Sequence, residues 1–123
     1  HADPRDEFPW FAGFADERGT GSGRGANLNL PLPKGATSGA WFSALETALG
    51  FLTSARLDAL VVSLGVDAYE HDPLGTFALT TSDFAQAGDW IRSLGLATVI
   101  VQEGGYAVET LGANVVAFLD RWA

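Results

Sequence analysis

The chain has 123 residues, a length that suits one domain with its own hydrophobic core. Fifteen acidic residues against seven basic ones give a net charge of −8, which argues against a nucleic-acid-binding surface of clustered Lys and Arg. Cysteine is absent, which excludes disulfides, thiolate metal sites and a thiol nucleophile, and fits a reducing, cytoplasmic location.

No apolar run is long enough to span a membrane, so we expect no membrane insertion. The N-terminus is polar and acidic, unlike a signal peptide. The first residue is His1 rather than Met, which fits a chain that starts within a longer protein.

The first part of the chain, residues 1–25, is rich in proline, glycine and aromatic residues and is predicted to be a long loop. A loop of this length in a compact domain usually serves a function. Asn27–Leu30 alternates polar and apolar residues, which predicts a short strand that Pro31 and Pro33 stop.

Helices and strands are predicted to alternate through the rest of the chain. Apolar periodicity predicts helices over 38–54, 80–94 and 108–122, and apolar runs predict buried strands over 57–64 and 97–101. This alternation implies parallel strands with right-handed crossovers. The predicted fold class is therefore α/β, with a three-layer parallel sheet and flanking helices, in one domain with a loop region at 1–25 and α/β units at 26–123.

The segment Gly21–Ala26 fits the dinucleotide-binding pattern G-x-G-x-x-A. That pattern binds a pyrophosphate only when a strand precedes it and a helix N-terminus follows it. Here a loop precedes it and prolines follow, so we interpret the glycines as a turning loop.

Ionisable residues crowd directly after the first buried strand: Asp67, Glu70, His71 and Asp72. The second buried strand is followed by Gln102–Tyr106. Ligands of open parallel sheets bind beyond the carboxyl ends of the strands, so both segments are expected to face one crevice. A carboxylate there can act as a metal ligand or a base, and a tyrosine hydroxyl can donate to an oxyanion.

Structural roles compete for the same residues. The dipeptide Asp72-Pro73 is a turn signal, and Asp67 is equally compatible with a turn or helix-cap position. Tyr106 is also a candidate for a packing residue at the start of the last helix.

Several of these segments together resemble the histone deacetylase family, in particular its bacterial branch with the acetylpolyamine amidohydrolases. The matching segments are His1-Ala2-Asp3-Pro4, Phe8-Pro9, Gly21-x-Gly23, Asn27–Leu32, Gly65–Ala68, Asp72–Gly75, Leu79-Thr80 and Glu103–Tyr106. The resemblance covers essentially the whole chain. It implies an arginase/deacetylase-like fold, represented only by the C-terminal part of that family's single catalytic domain.

The resemblance implies a zinc-dependent amidohydrolase that removes acetyl groups from acetyl-lysine or acetylpolyamine-type amines. By carry-over, Asp72 is predicted to be a zinc ligand and Tyr106 the catalytic oxyanion donor, while Asp67 shapes the loop. A catalytic zinc polarises the amide carbonyl.

The substrate channel that the resemblance implies would involve four more residues. Phe8 is predicted to line it, Leu79 to lie near its mouth, and Gly104 and Gly105 to let the backbone turn beneath the substrate. Apolar walls suit a linear methylene chain.

The chain departs from the family pattern in its histidines. The family takes its other zinc ligands from an Asp-x-His pair and its general base from adjacent histidines, whereas this chain has only His1 and His71. His71 matches no family ligand. We therefore predict that the complete enzyme is a deacetylase that holds zinc. The chain on its own is predicted to be inactive, and it need not hold zinc.

An incomplete sheet would expose an edge and apolar faces, a known route to association. We therefore expect the isolated chain to form a homo-oligomer or to bind a complementary N-terminal segment.

Two other functions remain open from the sequence. One is a non-catalytic interaction domain derived from the deacetylase fold. The other is an independent hydrolase whose acidic loop, Asp67–Asp72, binds calcium or magnesium.

Overall fold

The computed structural model describes residues 1–123 and contains three helices and two strands. Their bounds are α1 Ser38–Ser54, β1 Ala59–Leu64, α2 Thr81–Arg92, β2 Ala97–Gln102 and α3 Val108–Leu119. Single 3₁₀ turns occupy Gly21–Gly23 and Asp120–Trp122. The five predicted segments from residue 38 onward are thus confirmed in kind and order.

The two strands form a parallel sheet in which Val61 pairs with Val99 and Leu64 pairs with Gln102. Alternate residues of β1, such as Val62 and Leu64, face a core that all three helices share. The α/β class with a parallel sheet and helices is therefore confirmed. Within this chain the helices cover one face of the sheet, so two of the three predicted layers are present.

The other face of the sheet is uncovered and apolar. Val61 is 68% exposed, and Val99 and Val101, on the neighbouring strand, are 61% and 44% exposed. Valines of a central parallel strand are normally buried on both faces.

The predicted first strand is wrong, because Asn27–Leu30 forms no strand. Its two asparagines hold the long loop instead. Asn29 Nδ2 donates to the carbonyl of Phe14 and to Glu17 Oε2, both at 2.9 Å, and Asn27 Nδ2 donates to the carbonyl of Glu17. The alternation of polar and apolar residues reflects this loop anchoring rather than a half-buried strand.

The core lies between the sheet and the helices. Its most buried members are Phe42, Leu64, Val66, Leu79, Phe84, Ala87 and Phe118. A buried polar pair joins α2 to α3, since Thr81 Oγ1 donates to Asn114 Oδ1 at 2.7 Å. None of the helices combines the length and apolar character that a membrane crossing requires.

Candidate active site

The loops that follow β1 and β2 meet at the carboxyl edge of the sheet. Hydrogen bonds join them, since the Val66 amide donates to the Gly104 carbonyl at 2.8 Å and the Glu103 amide donates to the Leu64 carbonyl at 2.9 Å. The predicted crevice therefore forms where parallel strands end.

A cavity of about 500 Å³ opens at this edge. Its wall combines residues of the long N-terminal loop with residues of both strand-end loops, including Glu7, Phe8, Asp67, Leu74, Phe77 and Tyr106. Apolar side chains and a few polar groups on one concave surface are typical of a small-molecule site.

The carboxylate of Asp72 is fully occupied by backbone donors. Its Oδ1 accepts from the amides of Leu74 and Gly75, both at 2.9 Å. Its Oδ2 accepts from the amides of Tyr106 and Ala107, at 2.6 and 3.1 Å. A carboxylate offers about four acceptor positions, and in this chain backbone amides use them.

The pKa of Asp72 reflects this arrangement. Burial alone would raise it, but the four amide hydrogen bonds outweigh burial and lower the pKa below its ordinary value of 3.8. Asp72 is also absent from the cavity wall. In this chain Asp72 joins the two loops and positions the start of α3. That it binds zinc in the full-length protein stays a prediction.

Asp67 has the opposite surroundings. Its half-buried side chain lines the cavity. Burial, together with repulsion from Asp72 and Glu103, raises the pKa of its carboxyl above 3.8, and its only hydrogen bond comes from its own amide. A desolvated carboxylate that faces a cavity and has free acceptor positions is suited to bind a cation.

The glycines next to Asp67 leave room for its carboxylate. A Cβ added at Gly104 would lie within van der Waals overlap of Asp67 Oδ2, and one at Gly65 would lie 3.0 Å from Oδ1. Gly105 has a φ of 142°, and a Cβ there would lie 2.6 Å from Val66 Cγ2. Gly104 thus lies against the Asp67 carboxylate, and Gly105 lies against the core residue Val66. Neither glycine is part of the cavity wall.

Tyr106 is half exposed and lines the same cavity. Its backbone amide is held by Asp72, and its side chain makes no hydrogen bond within the chain. The phenol therefore remains available as a donor to a molecule in the cavity.

Phe8 and Leu79, whose side chains were both predicted at the substrate channel, lie in different surroundings. Phe8 is 70% exposed and lines the cavity beside Tyr106. Leu79 is fully buried in the core, where its backbone pairs with Tyr69, and it is not part of this cavity wall. Its place near the channel mouth of the full-length protein stays a prediction. Leu74, in the same loop, supplies the apolar side chain at the cavity.

The remaining ionisable residues of this loop do not converge. The His71 side chain is exposed, and its Nε2 lies 4.0 Å from Glu70 Oε1. No group of three or more His, Asp or Glu side chains is close enough to hold a metal ion. This arrangement gives no support to an independent calcium or magnesium site on the loop.

The two aspartates of this loop differ in their place at the cavity. Asp72, the predicted zinc ligand, is not part of the cavity wall, whereas Asp67 is. Asp67 directly follows the buried Val66, and that closeness to the strand end is the signal in the sequence that it faces the crevice.

Comparison with known proteins defines the class of this chain. The family model of the histone deacetylase domain matches residues 1–121. The chain therefore belongs to the histone deacetylase family, as its motifs predicted.

Among its relatives are bacterial amidohydrolases. The chain is 48% identical over 120 residues to acetylpolyamine amidohydrolase 2 of Pseudomonas aeruginosa, and 49% identical over 118 residues to the acetylpolyamine amidohydrolase of Burkholderia pseudomallei. These matches cover 98% and 96% of this chain and 35% of each relative. The chain thus spans about a third of the length of these relatives.

Solved structures give the same result for the fold. The chain superposes on an acetylpolyamine aminohydrolase from Burkholderia pseudomallei with a TM-score of 0.96 at 48% identity, covering 99% of this chain and 36% of that one. A histone deacetylase homologue from Aquifex aeolicus gives a TM-score of 0.91 at 32% identity, covering 98% of this chain and 33% of that one.

Proposed function

We propose that the full-length protein carrying this chain is a zinc-dependent amidohydrolase that removes acetyl groups from acetyl-lysine or acetylpolyamine-type amines. The observation that carries the proposal is the shared cavity wall of Asp67 and Tyr106, in a chain of the histone deacetylase family. The names of the bacterial relatives support the choice of an acylated amine.

Asp72 stays the zinc ligand that the sequence motif predicts, but the geometry of this chain supports Asp67 as the residue that would hold the ion. The Asp67 carboxylate has free acceptor positions at the cavity, whereas the oxygens of Asp72 each accept two backbone amides. One carboxylate does not complete a zinc site, which takes three protein ligands and keeps one position open. The other ligands would come from the rest of the full-length protein.

The residues of this chain would bind and orient the amide. When bound, zinc supplies a Lewis acid for the amide carbonyl. The Tyr106 hydroxyl would donate a hydrogen bond to the oxygen on which negative charge develops. Phe8 and Leu74 would hold the alkyl part of the substrate by removing its methylenes from water, at about 0.8 kcal/mol for each CH₂.

The 123-residue chain by itself would be inactive, because it offers one candidate ligand and its cavity wall contains no histidine other than His1. Activity would require the remaining length of the family domain. The uncovered face with Val61, Val99 and Val101 would be the surface that this remainder covers.

Turnover of acetylated amines by the purified full-length protein tests this function. We expect release of acetate that stops when a chelator removes the metal and returns when zinc is added. Acetate release that is insensitive to chelation, or its absence from zinc-loaded protein on both acetyl-lysine and acetylpolyamine substrates, would contradict the proposal.

A parallel test uses the 123-residue chain. We expect no acetate release, and sedimentation is expected to show self-association that a complementary segment of the family domain suppresses. Robust turnover by the pure chain, or a sharp monomer at high concentration, would contradict the corresponding part of the proposal.

A further inference from the structure

We propose that Glu7 is a specificity residue that binds the free ammonium end of an acylated alkyl diamine, and that Lys34 occupies this position until the substrate displaces it. This inference rests on the proposed function and adds to it a residue that distinguishes cationic from neutral substrates.

Glu7 lies in the wall of the cavity that Asp67 and Tyr106 share. Its side chain is only 24% exposed, and its Oε1 lies 3.0 Å from Nζ of Lys34, whose own side chain is 71% exposed. The carboxylate is therefore the enclosed partner of this pair, and the lysine reaches it from solvent.

The Glu7–Lys34 pair is a direct example of the contact that we propose for the substrate. A lysine side chain is a primary ammonium on a four-carbon chain, which is the chemistry of one end of an alkyl diamine. Because the lysine of this pair is largely exposed, the pair contributes little stability, so a cation of similar chemistry can replace Lys34.

The loop that carries Lys34 is fixed at the rim of the cavity. The Gly35 amide donates to the carbonyl of Thr76 at 2.7 Å, and Thr76 belongs to the cavity wall. The backbone bond of Gly35 thus keeps the neighbouring Lys34 next to the cavity, and the Lys34 side chain is 71% exposed.

The charge of the cavity wall favours the same ligand. Its acidic residues are Glu7 and Asp67, and it contains no Lys or Arg. With Phe8 and Phe77 beside them, these residues form an anionic surface with apolar walls. An alkyl chain with an amide at one end and an ammonium at the other matches both properties.

The test compares two substrates of equal length in the zinc-loaded full-length protein: a mono-N-acetylated alkyl diamine and a neutral N-alkylacetamide. The readout is the ratio of kcat/KM for the diamine to kcat/KM for the neutral amide. We expect Glu7→Gln to lower this ratio roughly two- to fivefold and Lys34→Gln to raise it by about twofold, as for partly exposed charge pairs.

The matched control is Asp6→Asn, which removes an adjacent, exposed carboxylate outside the cavity wall. It is expected to leave the ratio unchanged. An unchanged ratio in Glu7→Gln, or an equal fall in Asp6→Asn, would overturn the inference while the proposed function stands. No turnover of either substrate by the unaltered protein would overturn the proposed function and this inference with it.

Discussion

Asp67 and Asp72 begin and end one short stretch of the loop after β1, yet their carboxylates have opposite surroundings. Asp72 accepts four backbone amides, and its pKa lies below its ordinary value. Asp67 faces the cavity, and burial raises its pKa. The difference shows how one loop separates two tasks, since one carboxylate joins the two strand-end loops and the other lines the cavity.

The two tasks depend on each other through the backbone. Asp72 holds the amide of Tyr106, which fixes the start of the segment that carries the phenol to the cavity. Gly104 gives the Asp67 carboxylate the room it needs. Substitutions should therefore separate effects on chemistry from effects on stability.

The largest expected effect is on chemistry at Tyr106. In the full-length protein, Tyr106→Phe should lower kcat roughly 10²- to 10³-fold, because it removes a donor to the developing oxyanion. The thermal midpoint and the zinc content should stay unchanged, since Asp72 holds the backbone of this residue rather than its hydroxyl. A fall in kcat of less than about tenfold would remove Tyr106 from the catalytic role.

Asp72→Asn should produce the largest loss of stability. An amide side chain has one acceptor oxygen, so buried backbone donors lose their partner, at a cost of about 2 to 3 kcal/mol in the free energy of unfolding. Asp67→Asn, the matched variant, should change it by less than about 1 kcal/mol, because it removes no hydrogen bond from another residue. Chemical denaturation of the metal-free full-length protein measures both, and equal losses would contradict the assigned roles.

Gly104→Ala should have a smaller effect on stability, about 1 to 2 kcal/mol, because the new methyl group pushes against the Asp67 carboxylate. Gly112→Ala in α3 is the control, since a Cβ there meets nothing within 4 Å and alanine favours a helix. A free energy of unfolding in Gly104→Ala equal to that of the unaltered protein would show that Asp67 does not need this space.

The smallest expected effect is a dependence of stability on pH. Asp83 lies in the first turn of α2, where burial alone would raise its pKa but hydrogen bonds from Thr80 and Ser38 lower it. Asp72 and Asp83 thus both have lowered pKa values in the folded state, so the unfolded chain takes up their protons first as the pH falls below 3.8. The stability that they contribute is present above that pH and is lost below it. In Asp72→Asn the free energy of unfolding should fall less steeply as the pH is lowered. Unfolding curves measured between pH 5 and about pH 2.5 would reveal this difference. An identical slope in both proteins would contradict the lowered pKa of Asp72.

Much of the fold was predictable because it depends on local periodicity. The three helices and the strands at Ala59–Leu64 and Ala97–Gln102 follow from apolar spacing, and the crevice follows from parallel strand ends. The strand predicted at Asn27–Leu30 failed because the asparagine side chains form long-range bonds to the loop at Phe14 and Glu17. A single sequence gives no sign of such partners.

The site was predictable only in part for a related reason. The sequence placed two aspartates and a tyrosine at one edge, but it could not count the hydrogen bonds that each aspartate accepts. Those of Asp72 come from Tyr106 and Ala107, more than thirty residues away along the chain. The burial of Leu79 was equally hidden from the sequence, because its backbone pairs with Tyr69, ten residues away along the chain.

The most direct test of the account is the zinc content per chain of two full-length variants, Asp67→Asn and Asp72→Asn, measured on the folded fraction after dialysis against trace zinc. The account predicts that Asp67→Asn loses nearly all bound zinc, while Asp72→Asn retains it in those molecules that fold. Zinc retained by Asp67→Asn and lost from folded Asp72→Asn would contradict it and would return the ligand role to Asp72.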